Sequence, residues 1–144
     1  MTTHTFTTTC AYFTAARYLR TVERVADKVY APTGMKPAYS YIMLALEDED
    51  GLSITALATR LGYDRTSLSR MVRQLAARHL VQLRTSGRKT LVELGPDSAD
   101  FLVTANACLR DFAATTDRLL GPDKAAMTAL LTSNNTKLGG FFND

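Results

Sequence analysis

The stretch Tyr63–Leu94, YDRTSLSRMVRQLAARHLVQLRTSGRKTLVEL, holds six arginines and one lysine against two acids, Asp64 and Glu93. Stepped at about 100° per residue, Leu68, Met71, Val72 and Leu75 fall within roughly a third of a helix circumference and form a stripe suited to a core. Arg65, Thr66, Ser69, Arg70 and Arg73 occupy a separate arc of about 140° by the same rotation. That arc contains no acid. Asp64 stands where an N-cap is needed, so the spacing predicts a helix over Arg65–Arg78. After it, Leu80–Arg84 and Thr90–Leu94 read as two strands around Ser86-Gly87. The loop between them, Arg84–Thr90, is expected to be basic and flexible at its tip.

Outward from this stretch the chain reads as mostly helical. A three-four spacing through Phe13, Ala16, Leu19, Ala26 and Tyr30 predicts one long helix from Thr7 to about Tyr30. Ala31-Pro32-Thr33-Gly34 ends it. Pro37 suits the first turn of a second helix reaching about Glu47. Leu52–Ile54 is expected as a short edge strand, and Thr55 as the N-cap of a helix over Ala56–Leu61 that Gly62 stops. Gly95-Pro96-Asp97 precedes a long helix over Ser98–Leu120, and another is expected from Pro122 to about Leu138. The order defines a mainly α chain built as a winged helix-turn-helix with N- and C-terminal dimerisation helices. The expected division is residues 1–36 for the first dimerisation helix, 37–95 for the lobe and 96–144 for the last dimerisation helices, within one protomer. Helices this long at the chain ends exceed what so small a core can cover, which points to packing on a second copy.

Charge is placed rather than abundant. The 144 residues carry 17 Lys and Arg and 14 Asp and Glu, a net charge of +3. Acids gather at Glu47-Asp48-Glu49-Asp50, whereas Arg60 to Lys89 holds eight basic residues and Asp64 as its sole acid. A helix face meant only for solvent more usually alternates signs. An acid-free face of guanidinium and hydroxyl groups instead suits a polyanion. The major groove of DNA admits an α-helix, and Arg can bond guanine O6 and N7 together. Arg65, Thr66, Ser67 and Ser69 are therefore the candidate base readers, with Arg70 and Arg73 reading bases or holding phosphates. Arg84, Arg88 and Lys89 on the wing are placed for a neighbouring minor groove.

With 46% hydrophobic and 22% charged residues, the chain can bury a core. No apolar run approaches the roughly 20 residues that cross a bilayer, and MTTHTFTTTC does not resemble a secretory signal. A cytoplasmic protein without a membrane role is expected. No metal-ligand cluster, phosphate-cradling glycine loop or nucleophilic triad context is visible, so neither an enzyme nor a cofactor is expected. A winged helix that binds only another protein is the alternative of a different class. Salt separates the two, because DNA affinity falls steeply as salt rises.

On these residues the chain resembles the MarR family of winged-helix transcription regulators, from about Arg17 to Leu102. "RVADKVYAPTGMKPAYSYIMLAL" resembles the family's first-to-second helix junction. "LSITALATRLGYDRTSLSRMVRQLAARHLVQLR" is similar to its helix-turn-helix, and "GRKTLVELG" to its second wing strand. The resemblance implies an obligate homodimer on double-stranded DNA carrying a pseudo-palindromic operator, with repression relieved by a small organic ligand or by oxidation. It places Thr66, Ser67, Ser69, Arg70 and Arg73 in recognition-helix positions and Arg88 as the wing arginine. Three departures stand out: the usual wing acid is absent from Ser86-Gly87-Arg88, the wing is a few residues short, and His79 replaces the glycine after the recognition helix. Histidine tolerates a left-handed backbone, so His79 is expected simply to end that helix.

For the effector, the resemblance implies a crevice between the dimer helices and the lobe, with Phe13, Arg17, Tyr39 and Met43 as candidate walls. Some relatives sense peroxide through cysteines, and Cys10 and Cys108 lie in comparable helices. Two inert structural cysteines are the other reading.

Overall fold

The computed structural model describes residues 3–143. Its first helices are α1 (Phe6–Thr9) and α2 (Ala11–Val29). The expected single helix is therefore broken. Cys10 is extended, with φ −83° and ψ 124°, and its Sγ accepts from the Phe13 N–H at 3.5 Å as an N-cap. The β-branched Thr5, Thr7, Thr8 and Thr9 make a weak helix former of this end, and capping α2 at Cys10 satisfies an amide that a continuous helix would use otherwise. Arg17 holds the two pieces together, donating to the Thr7 carbonyl at 2.7 Å and lying over the Phe13 ring. Phe6 meets Phe13 edge to face.

A short 3-10 turn, Ala31–Thr33, leads to α3 (Pro37–Asp48), where Pro37 opens the helix as expected. Then come β1 (Leu52–Ser53), α4 (Ile54–Leu61) and α5 (Arg65–Ala77). Ser53, not Thr55, caps α4, its hydroxyl accepting from the Ala56 N–H at 3.0 Å. Both residues are competent caps, but Leu52 and Ser53 pair with the wing and so fix the helix start one residue after the strand. The wing strands are β2 (Val81–Ser86) and β3 (Lys89–Leu94), followed by α6 (Ser98–Leu120) and α7 (Asp123–Gly139). Strand order is β1-β3-β2, antiparallel throughout.

The loop expected over Arg84–Thr90 is shorter, a tight turn. Pairing continues to Ser86 opposite Lys89, leaving only Gly87 and Arg88 between the strands. Gly87 has φ 62°, the positive value a primed two-residue hairpin turn demands at its first central position.

The core of the lobe joins Ile42, Met43 and Leu46 of α3, Leu57 of α4, Leu68, Val72 and Leu75 of α5, and Val81 and Val92 of the sheet. Each such burial is worth about 1.5–3 kcal/mol. Leu102 of α6 joins them. Contacts divide the chain into a unit ending at Leu109 and a unit beginning at Arg110. The first twelve residues of α6, Ser98–Leu109, thus group with the lobe and the N-terminal helices. Among the described residues, no helix is long and apolar enough to cross a membrane.

Two helix ends in the lobe share one geometry. After α4, Tyr63 N–H bonds to the Ala58 carbonyl at 2.9 Å with Gly62 left-handed at φ 76°. After α5, Leu80 N–H bonds to Leu75 at 3.0 Å and His79 N–H to Ala76 at 3.0 Å. This second Schellman closure puts a histidine at φ 61°, where glycine is the unstrained residue. The His79 carbonyl then lies against Gly95, where an added Cβ would sit 2.5 Å from it. Gly95 is required by that close approach.

Candidate nucleic-acid interface

Helix α5 is positioned by three things: its buried stripe, its Asp64 cap and its Schellman end. Leu68, Val72 and Leu75 are fully buried. Asp64 accepts from the Ser67 N–H at 2.8 Å and from the Ser67 hydroxyl at 2.7 Å. Those two bonds, with Arg70 adding to them, hold the Asp64 carboxyl below its ordinary range despite some opposing desolvation. Ser67 is therefore engaged by the cap rather than presented outward, and it lies off the 140° arc.

Arg65, Thr66, Ser69, Arg70 and Arg73 line one shallow open concavity on the outer side of α5. The three arginines and Thr66 are exposed and Ser69 is half-buried. Among the described residues none of the three arginines takes part in an ion pair. Two nearby arginines differ. Arg60 is paired with Glu49 at 2.5 Å, and Arg84 is paired with Glu93 across the wing. Arg84 is thus held by a strand neighbour, a partner visible only once the register is known.

A second concavity lies between elements. Ser53, Ile54, Thr55 and Ala56 at the start of α4, Arg65 at the start of α5, and Arg88, Lys89 and Thr90 of the wing line it together. Of these, Arg65, Arg88 and Lys89 were legible from sequence. The α4 residues were not, although a Ser three positions before an amide-bearing Ala is a capping signal that could have drawn attention to that helix start.

The remaining candidates do not assemble into one site. Met43 is fully buried in the lobe core, so it is packing rather than a pocket wall. Tyr39 is partly buried against the same core. Phe13 and Arg17 belong to the α1–α2 junction. Cys10 is half-buried at its cap, and Cys108 is buried. Cys108 lies near Tyr30, whose hydroxyl donates to that of Tyr41 at 2.9 Å. Burial first, then Tyr41 and Cys108, pushes the Tyr30 phenol well above its ordinary range.

A layer of helices around a three-stranded wing, with an acid-free basic helix outward, is the fold of winged-helix regulators. Residues 33–89 match the model of the MarR family. No curated protein sequence matches it. Among solved structures it is similar to the transcriptional repressor CouR bound to a 23-mer DNA duplex, at 21% identity and TM-score 0.81 over 94% of this chain and 99% of that one. The PcaV regulator from Streptomyces coelicolor, in complex with its natural ligand, shows 19% identity and TM-score 0.81 over 95% and 98%. The M. tuberculosis regulator MosR in complex with DNA shows 22% identity and TM-score 0.76 over 90% and 98%. At these identities the likeness is one of fold.

Proposed function

We propose that this chain is a homodimeric, sequence-specific DNA-binding transcription regulator of the MarR type, acting as a repressor in the cytoplasm. The observation that carries this reading is the outer face of α5. It gathers Arg65, Thr66, Ser69, Arg70 and Arg73 in one concavity without an acid or an ion pair. Arginine left unpaired at a protein surface beside short hydroxyls is matched by phosphates and guanine edges. The wing, residues 84–90, lies beside the neighbouring minor groove. Two copies present their α5 helices to successive major grooves, about 34–36 Å apart, on a pseudo-palindromic site.

Self-association is supported by what the terminal helices leave uncovered. Leu130, Leu131 and Leu138 of α7 are 61%, 50% and 72% exposed, and α7 has no buried residue. Similar folds have been solved with DNA and with small ligands, which favours release by a small organic effector that alters helix packing between the copies. Enzyme chemistry has no support in the residues.

Selection of bound duplexes from a random DNA pool, run with protein of known oligomeric state, tests the reading. Recovery of a two-fold-related consensus by a dimer is expected. A dimer or monomer that enriches no sequence would refute it and favour a protein partner.

A further inference from the structure

The wing tip and the start of α4 face one another across a cleft that recognition-helix chemistry does not explain. Three cations from two elements enter it: Arg65 from α5, and Arg88 and Lys89 from the wing. All three are exposed, and none forms an ion pair among the described residues. The Thr55 and Thr90 side chains line the same cleft. Ser53 is already committed to capping Ala56, so the amides at the very start of α4 lack helical partners and add to the positive potential.

Length decides what the wing can do. β1 pairs with β3 at Leu91 and Val92. Only Lys89 and Thr90 lie between Leu91 and Arg88, three steps or about 10 Å of strand. The turn itself is two residues, Gly87 and Arg88. A hairpin this short keeps its basic tip beside α4 and α5 instead of projecting past them.

We propose that this cleft seats a single backbone phosphate of the duplex, gripped by Arg65, Arg88 and Lys89, so that the wing clamps the edge of the minor groove and does not read bases inside it. The inference rests on the DNA-binding reading above. In this chain the wing supplies register and affinity, and α5 supplies sequence discrimination.

The test uses full-length protein and the consensus duplex recovered by selection. Phosphates are replaced one at a time by neutral methylphosphonates, and binding is measured for the native protein and for an Arg88→Ala/Lys89→Ala variant. Thermal melting first checks that the variant is folded. At one phosphate per half-site, the replacement costs native protein on the order of tenfold, as expected for a lost charge-assisted bond. The same replacement costs the variant less than about twofold. The slope of log K against log salt falls by about one per bound copy in the variant. Its ranking of duplexes with A·T-only and G·C-only flanks stays that of the native protein.

Equal losses for both proteins at every phosphate would overturn the clamp, as would a variant that loses its preference between A·T and G·C flanks, the signature of minor-groove reading. Native protein that binds no duplex would instead refute the function on which the clamp depends, a distinct result seen before any variant is made.

Discussion

Helices α5 and α7 differ in what their apolar residues touch. In α5, Leu68, Val72 and Leu75 are fully buried within the chain's own lobe, and the opposite side is cationic. In α7, Leu130, Leu131 and Leu138 fall within about 100° of rotation, and all are at least half exposed. The first helix is finished by its own chain. The second leaves its leucines exposed among the described residues. Large uncovered apolar surface on a stable protein marks an association site, so the contrast separates the part of the molecule that holds a shape from the part proposed to meet a second copy.

The sharpest way to break the contrast is to truncate one leucine on each side of it. Leu75→Ala removes a fully buried side chain and is expected to cost about 2–5 kcal/mol in urea unfolding. Leu131→Ala should change lobe stability by less than about 0.5 kcal/mol while shifting sedimentation toward the monomer. If both variants lose similar stability and neither changes association, α7 is not an unpartnered face. Next in size, Arg70→Ala and Arg73→Ala should each weaken binding to the selected duplex by about 1–3 kcal/mol, with melting and dimerisation unchanged. Fluorescence anisotropy measures the loss.

His79→Gly sharpens the comparison in the other direction. Relief of the left-handed backbone at φ 61° should raise unfolding stability by roughly 0.5–1 kcal/mol after glycine's entropy cost. No change in melting would mean that the strain is absorbed elsewhere. The smallest effect concerns the Asp64 cap. Its carboxyl titrates below the ordinary 3.8 when folded. The contribution is therefore complete above that value and lost as pH falls through the folded pKa. Asp64→Asn, which still caps but does not ionise, should melt with less acid dependence than the native protein. Identical acid profiles would show that the cap is not what loosens.

The lobe was legible because local rules and packing agreed there. The apolar spacing of α5, the Asp64 cap and the Gly62 stop each name the same boundary, and the 140° arc computed by rotation is the set of residues that lines the α5 concavity. Rotation shows which way a side chain faces, but not what meets it. Ser67 was drawn into the local Asp64 cap, whereas Arg84 was taken by Glu93 and Met43 sank into the core through neighbours fixed only by strand register or tertiary contact. The break at Cys10 was hidden for a related reason. The apolar periodicity continues past it, while a thiol cap and the Arg17 strut interrupt the backbone. A pocket wall is harder still, since it depends on several distant elements at once.

On the proposed function, the exposed cations of α5 and the wing meet phosphates and base edges of a duplex. The affinity of the native protein for the selected duplex as a function of salt tests this directly. A steep linear fall of log K with log salt, shallower when Arg70 and Arg73 are both alanine, is the predicted result. Binding that is flat in salt, or a slope untouched by removing both arginines, would contradict it.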